Sequence, residues 1–420
     1  MLLSALPASG SEHIAQKDPH TPLLGMNTHL DKQEILDLYR SGALLGAIFD
    51  NFGSAFQEQA VISKCAEMHN DGEINLLALI ESPDFNGIDV HRFFAGQHFY
   101  CEVLPRLNAS PQDMMTCVKA LIEKGGQDLA ANQPNAGFTE WCSVDLSRAT
   151  AIIESSDADD PLAREFLSFA LTAGNTVQQA IRIADAYRDE RRVRAITALG
   201  RMNYTDLDSA RIALDALKRA IDDRVDDILY ANALSSALGI ADKAGPAALD
   251  AAAEIVKAVC ATPGPQTQYC CACVISVNSS AINTTMLSYL FGALASIPPE
   301  LKGTLKALDN GLRKLLDTAF ADEAIAFVEK FLSDADRTVT LADLPNFSHN
   351  LVNEPHGRLH RAFVTWMLSG KRPLCEGLAH LVNTTRKRDL FFDLSIHHCC
   401  PVKPGSPARN GMILNGVLSI

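Results

Sequence analysis

Apolar residues recur at intervals of three and four along nearly the whole chain, and no convincing stretch alternates between apolar and polar positions. The first spacing marks one face of an α-helix, whereas strict alternation would mark a strand. Asp31 is placed to cap a helix that carries Ile35. The Pro111 and Asp160-Pro161 positions predict two further helix starts, because proline fits the first helical turn. We therefore predict an all-helical fold.

Helices between about 176 and 335 repeat at a nearly constant step. Two segments end in equivalent glycines, Gly200 and Gly239, which are 39 positions apart. Helix ends that match one another follow at steps of 38, namely Ala220-Ile221, Ala258-Val259 and Ser296-Ile297. One helix pair cannot bury its apolar stripe alone, so a repeat near 40 residues predicts an α-solenoid of stacked antiparallel pairs.

The segment from Val193 to Gly200 resembles the second helix of a HEAT unit, and the chain over 176–335 resembles the HEAT and armadillo class of repeat proteins. In that family an arginine helps to order a ladder of charges between units, and Arg194 occupies that position here. The unit that ends at Gly239 has no matching arginine. The resemblance implies a concave surface that binds other macromolecules, and it implies no particular activity.

The pattern divides the chain into five parts. They are an unstructured leader (1–25), an N-terminal helical domain (26–175), the HEAT-like repeats (176–335), a C-terminal helical cap (336–398) and an irregular tail (399–420). Patterned sequence begins after Met26, which is a candidate for the biological start. The apolar segment over 412–420 has no helical or strand context, which is typical of a truncated or frame-shifted end.

Composition narrows the class of protein. Hydrophobic residues make up 47% and charged residues 21%, as in globular domains, and no apolar run is long enough to predict a membrane span. The 37 basic and 50 acidic residues give a net charge of −13, which argues against nucleic-acid binding. The exception is a basic C-terminal segment with Arg386, Lys387 and Arg388. Eleven irregularly spaced cysteines indicate a reducing compartment, and we expect a cytoplasmic protein.

Two groups of soft ligands are candidates for a metal or redox site. Cys270 and Cys273 would share one face of a helix, so two thiols could bind half of a zinc site or form a redox pair. His397 and Cys399 belong to the densest set of histidines and cysteines in the chain. A structural zinc site needs four ligands, and neither spacing supplies them, so close helix packing is the favoured interpretation and no cofactor is predicted.

Two further clusters have chemical and structural interpretations. His98, Cys101 and Glu102 lie on one face of a predicted helix, which suits a cysteine nucleophile with a base, but a mid-helix cysteine among aromatic residues favours packing. The arginines from Arg188 to Arg194 alternate with acidic residues and predict a solvated helix face rather than a phosphate site. No phosphate loop, nucleophile elbow or zinc-protease motif is present in the sequence.

The sequence therefore predicts a protein-interaction scaffold or regulatory adaptor that binds a protein partner through the inner faces of its stacked helices. Arg194 and the basic triplet are its candidate contact residues. One alternative is the recognition part of a larger effector, with the catalytic module missing or on a partner chain. A further alternative is a cysteine- or metal-dependent enzyme that uses Cys101 or the Cys270–Cys273 region.

Overall fold

The structure is a computed structural model, and it describes residues 30–51, 55–82, 85, 90–125, 132–277, 281–333, 339–353 and 357–384. Within these ranges every regular element is a helix and there is no strand. The prediction of an all-helical fold is thus confirmed. No helix in the described ranges is both long and apolar enough to cross a membrane. The predicted leader and the predicted irregular tail lie outside the described residues.

The chain forms two compact units, of which the first ends at Asn203 and the second begins at Tyr204. This division falls inside the stretch over 176–335 for which repeats are predicted. The first unit contains ten described α-helices: α1 (Lys32–Ser41), α2 (Leu44–Asn51), α3 (Ala55–Asn70), α4 (Val90–Val103), α5 (Pro111–Gly125), α6 (Asn132–Val144), α7 (Leu146–Asp157), α8 (Pro161–Gly174), α9 (Val177–Ala186) and α10 (Glu190–Arg201).

The helix starts of the first unit follow from local capping chemistry. Asp31 and Glu34 form a reciprocal capping box at the start of α1. Asp160 accepts hydrogen bonds from two backbone N–H groups at the start of α8, and Pro161 occupies the first helical position. These predicted helix starts are thus confirmed. They could be predicted because each donor and its acceptor lie within three residues of one another along the chain.

Aromatic side chains fill much of the core of the first unit. Trp141 is fully buried, and its indole N–H donates to the carbonyl of Leu107 at 2.9 Å. Phe138 packs against Phe166 with ring centroids 4.8 Å apart. Helix α6 approaches α4 so closely that a Cβ at Gly137 would lie 2.8 Å from the Cys101 carbonyl oxygen. Only glycine fits there without displacing backbone.

The second unit also contains ten described α-helices, and they pack in a regular order. They are α11 (Leu207–Asp223), α12 (Asp227–Ala244), α13 (Leu249–Cys260), α14 (Pro265–Val277), α15 (Thr284–Leu294), α16 (Lys302–Leu315), α17 (Ala321–Leu332), α18 (Pro345–Asn353), α19 (Arg358–Ser369) and α20 (Arg372–Thr384). Helices α12, α14, α16 and α18 contact one another in succession, and α11, α13 and α15 do the same.

Two aspartates connect successive even-numbered helices of this unit. Asp227 accepts hydrogen bonds from the backbone N–H groups of Gln266 and Thr267, at the start of α14. Asp309 does the same for Asn346 and Phe347 at the start of α18, with N–O distances of 3.0 and 2.8 Å. Each aspartate therefore caps the next helix but one, whose first N–H groups have no partner within their own helix.

Candidate interaction face

The exposed side of α16 carries a cluster of cations. Its apolar residues, which include Leu308 and Leu312, are buried, and the opposite side faces solvent. On the exposed side the helix presents Lys302, Lys306, Arg313 and Lys314. Three of these side chains are exposed and that of Arg313 is half-buried. With 3.6 residues per turn, positions 302, 306 and 313 fall within a narrow arc of the helix surface.

No carboxylate in the described part of the chain forms an ion pair with these cations. Lys314 donates to the backbone carbonyl of Ser276 at 2.7 Å, which fixes α16 against α14. The only carboxylate within α16 is Asp309, which is 1% exposed and engaged in capping α18. Burial raises the pKa of the Asp309 carboxyl above its ordinary value of 3.8, although the donated N–H groups and the charge of Arg313 oppose that shift. The exposed charge of α16 is therefore positive.

Amide, hydroxyl and imidazole groups of the neighbouring helices continue this surface. Tyr269 of α14 lies beside Gly303 of α16, with a ring carbon 4.0 Å from the position of a Cβ there. Asn346 of α18 donates to the side chain of Asn310 at 3.1 Å. We use the name basic face for the surface that comprises Tyr269, Cys273 and Ser276 of α14, Lys302, Lys306, Asn310, Arg313 and Lys314 of α16, and Asn346, His349 and Asn350 of α18.

The predicted Cys270–Cys273 pair does not act as a unit in the structure. The Cys270 thiol donates to the carbonyl oxygen of Ala231 at 3.1 Å, and burial raises its pKa. Cys273 lies on the basic face, and its thiol interacts with Tyr269. No group of three or more histidine, cysteine, aspartate or glutamate side chains in the described residues could hold a metal ion. His397 and Cys399 lie outside the described residues.

The predicted nucleophile cluster on α4 lacks an activated thiol. Burial raises the pKa of Cys101 above its ordinary value, and the neighbouring charge of Glu102 adds to that shift. The Glu102 carboxylate accepts a hydrogen bond from Gln59 at 3.3 Å. A nucleophilic cysteine needs a lowered pKa so that the thiolate is populated at neutral pH. This environment favours the packing role of Cys101.

The predicted solvated face of the α10 arginines is wrong for two of them. Arg191 is 9% exposed, forms ion pairs with Asp189 and Asp159, and stacks on the ring of Tyr187 at 3.8 Å. Arg192 is 5% exposed and donates to the carbonyl of Ala184. The charge can be buried because carboxylates and backbone oxygens surround it.

The predicted contact residues are partly described. Arg194 forms an ion pair with Glu190 one turn away, with a distance of 3.0 Å from Nε to Oε1, so its charge is locally neutralised. Arg386, Lys387 and Arg388 lie outside the described residues. The α16 cations could have been recognised from the sequence, because they recur at helical spacing with a single carboxylate among them. The capping roles of Asp227 and Asp309 left no comparable local signal, since the N–H groups they accept from lie 37 to 40 positions later.

A cavity elsewhere in the same unit has aromatic side chains in its lining. This cavity of about 560 Å³ lies between α17 and the residues that follow α15, and its lining includes Phe327 and Phe331. The rings of Phe291 and Phe327 are stacked with centroids 4.3 Å apart. Lys330 and Lys371 also line it. This cavity offers an apolar contact area, and its charged lining residues include Glu329 beside the lysines, so its charge is more balanced than that of the basic face.

Comparisons of the chain with protein-family models, with curated proteins and with solved structures gave no match. The geometry of the described residues is therefore what supports a function.

Proposed function

We propose that this chain is a protein-interaction scaffold whose basic face binds a short acidic segment of a partner protein. The observation that carries the proposal is the exposed charge of α16. The exposed side chains of Lys302 and Lys306 form no ion pair with a carboxylate in the described part of a chain whose net charge is −13, and Arg313 lies beside them on the same arc. In an acidic protein, cations that are left exposed and unpaired on one face attract a negatively charged ligand.

We also infer that the paired helices of the second unit stack as an α-solenoid of the HEAT or armadillo type. Two observations support this inference. The even-numbered helices contact one another in succession. Hydrogen bonds between neighbouring helices join residues 37 to 40 positions apart, which matches the repeat step of 38 to 39 in the sequence. A solenoid of this kind presents one continuous row of helices to a partner.

The chemistry of the basic face favours a peptide over a nucleic acid. Asparagine and tyrosine side chains can bond to the N–H and C=O groups of an extended peptide, while lysine and arginine pair with its carboxylates. A long polyanion would also be repelled by the overall charge of the chain, which is −13, and this repulsion opposes nucleic-acid binding. A short acidic segment would experience mainly the local charge of α16, since about 10 Å is the screening length at moderate salt.

The state of the cysteines agrees with a cytoplasmic scaffold. Every cysteine in the described residues is a free thiol. Disulfides are rare in the reducing cytoplasm and common in secreted proteins. We place the proposed interaction in that compartment.

Binding of a short acidic peptide to the full chain tests the proposal. Three neighbouring helices at about 8–10 Å spacing span about 20 Å, which an extended peptide of about eight residues covers. We expect a fluorescent glutamate-rich peptide of that length to bind with a micromolar dissociation constant that rises steeply with salt. The same peptide with glutamine in place of glutamate should not bind.

Three outcomes would reject the proposal. The first is equal binding of the glutamate and glutamine peptides, which would show that charge is not recognised. The second is no binding of either peptide at low salt. The third is tighter binding of a single-stranded oligonucleotide of matched length, which would assign the basic face to nucleic acid.

A further inference from the structure

Two thiols of the second unit lie in contact without being bonded. Cys260 is the last residue of α13, and Cys271 lies at the middle of α14. Their Sγ atoms are 3.8 Å apart. This pair differs from the Cys270–Cys273 pair that the sequence spacing indicates as a candidate. It joins residues eleven positions apart, across the turn between the two helices.

The surroundings of the four clustered cysteines single out this pair. The Cys270 thiol is engaged with the carbonyl of Ala231, and the Cys273 thiol with Tyr269. Cys271 is completely buried, whereas Cys260 is half-buried. Cys260 is therefore the more accessible of the two to a small oxidant, and among the described residues its sulfur contacts that of Cys271.

We propose that Cys260 and Cys271 form an oxidation site, at which a hydroperoxide converts two thiols into an intramolecular disulfide. The Cys260 thiolate attacks the peroxide oxygen, the O–O bond breaks, and hydrogen peroxide is reduced to water with formation of a sulfenic acid. The Cys271 sulfur then attacks Sγ of Cys260, the S–O bond breaks, and a second water leaves with the thiol proton. Two thiols and one hydrogen peroxide thus give one disulfide and two waters.

The backbone on one side of the pair can supply the required movement. The two sulfurs must approach from 3.8 Å to the length of a disulfide bond, which is about 2.05 Å. Cys260 ends α13, and the turn that follows contains Pro263 and Gly264 before α14 begins at Pro265. A helix end shifts more easily than a helix centre. The hydrogen bond with Cys260 and burial raise the pKa of Cys271, so we expect a slow reaction that accelerates as pH rises.

Peptide mapping of the full chain after oxidation tests this site directly. The folded protein is treated with hydrogen peroxide, free thiols are alkylated, and the chain is digested with chymotrypsin, which cleaves after Tyr269. Cleavage there separates Cys260 from the three cysteines of α14. We expect the two peptides to remain joined, with the link at Cys271, and the joined product to lack two hydrogen atoms. Reduction should release both peptides.

Variants and a denatured control decide between this pair and its neighbours. Cys271→Ala should abolish the link, whereas the matched Cys273→Ala should retain it. The same oxidation in concentrated urea should give mixed pairings, which shows that the native contact selects the pair. A link from Cys260 to Cys270 or Cys273 in the wild-type protein would overturn the proposal, as would oxidation of Cys260 that stops at a sulfinic acid. Wild-type mapping decides the matter even if the variant does not fold.

Discussion

Helices α10 and α16 are both rich in basic residues, yet the two sets of cations have different surroundings and different roles. On α10 the arginines are engaged: Arg191 pairs with two aspartates, and the Arg201 guanidinium lies 4.9 Å from the ring centre of Phe169. On α16 the side chains of Lys302 and Lys306 are exposed and no ion pair is formed with a described carboxylate. An engaged cation contributes to the stability of the fold, and an exposed one contributes to the potential of the surface.

The local density of charge along a sequence therefore does not identify a binding surface. The arginine-rich stretch of α10 is the more conspicuous of the two in the sequence, but its partners are already present in the protein. Helix α16 has fewer cations per turn and only one carboxylate, which is buried. Substitution of the buried arginines of α10 should therefore change folding, and substitution of the exposed cations of α16 should change binding.

Arg191→Ala should have the largest effect. It removes the guanidinium that donates to Asp189 and to the carbonyl of Ser156, and it removes the stacking on Tyr187, while the backbone N–H of residue 191 still donates to Asp189. Breaking a fully buried ion pair costs about 3–5 kcal/mol, and partial exposure of both aspartates reduces the expected loss to about 2–3 kcal/mol. Urea unfolding measures this loss. Arg194→Ala is the matched control on the same helix, because its ion pair with the exposed Glu190 lies at the surface and should contribute less than about 0.5 kcal/mol. Equal effects of the two would contradict the contrast between the buried and the surface ion pair.

Asp309→Ala should come next. This change removes the acceptor for two backbone N–H groups at the start of α18. Loss of a cap costs about 1–2 kcal/mol, and the buried donors left unpaired add to it, so we expect a loss of about 2 kcal/mol. Asp227→Ala should behave alike, because it caps α14 in the same way. A large difference between the two free energies of unfolding would argue against a repeated device.

The loss of stability in Arg191→Ala should depend on pH, and the pKa of Asp189 determines the direction of that dependence. The hydrogen bond from Arg191 lowers the pKa of Asp189 below its ordinary value of 3.8. The stabilisation is therefore complete above pH 3.8 and disappears as pH falls through the lowered pKa. We expect the stability difference between wild type and variant to narrow in acid. A difference that stays constant between pH 7 and pH 3 would show that the ion pair is not its source.

Lys306→Ala should have the smallest effect on folding. The side chain is exposed and forms no ion pair with a described residue, so the free energy of unfolding should change by less than about 0.5 kcal/mol. The same substitution should weaken binding of the acidic peptide. A loss of stability comparable to that of Arg191→Ala would mean that α16 is held by its cations and would remove the contrast between the two helices.

Sequence patterns predicted the features that depend on neighbours close along the chain. The starts of α1 and α8 are correct because Asp31 and Asp160 cap donors within three residues. The all-helical fold follows from the 3.6-residue period of apolar positions, which decides which face is buried whatever the partner helix is. The same locality explains why α5 begins at Pro111 as expected.

Features that depend on distant neighbours were not predictable in this way. The guanidinium of Arg191 can be buried because Asp159, which lies between α7 and α8, pairs with it at 3.1 Å. The contact between Cys260 and Cys271 needs the turn that brings the two helix ends together. The spacing of residues within a single helix predicts neither of these two contacts. The division of the chain after Asn203 is likewise a property of packing, since no proline- or glycine-rich linker marks it.

The most direct test of the account is the affinity of the glutamate-rich peptide for two charge-reversal variants of the full chain. One is Lys306→Glu with Arg313→Glu, on the basic face. The other is Lys257→Glu with Lys330→Glu, which makes the same change in net charge on exposed residues of α13 and α17. We predict that the first weakens binding at least about tenfold, or about 1.4 kcal/mol, and that the second weakens it less than about twofold. Equal losses for the two variants would contradict a binding surface on α16.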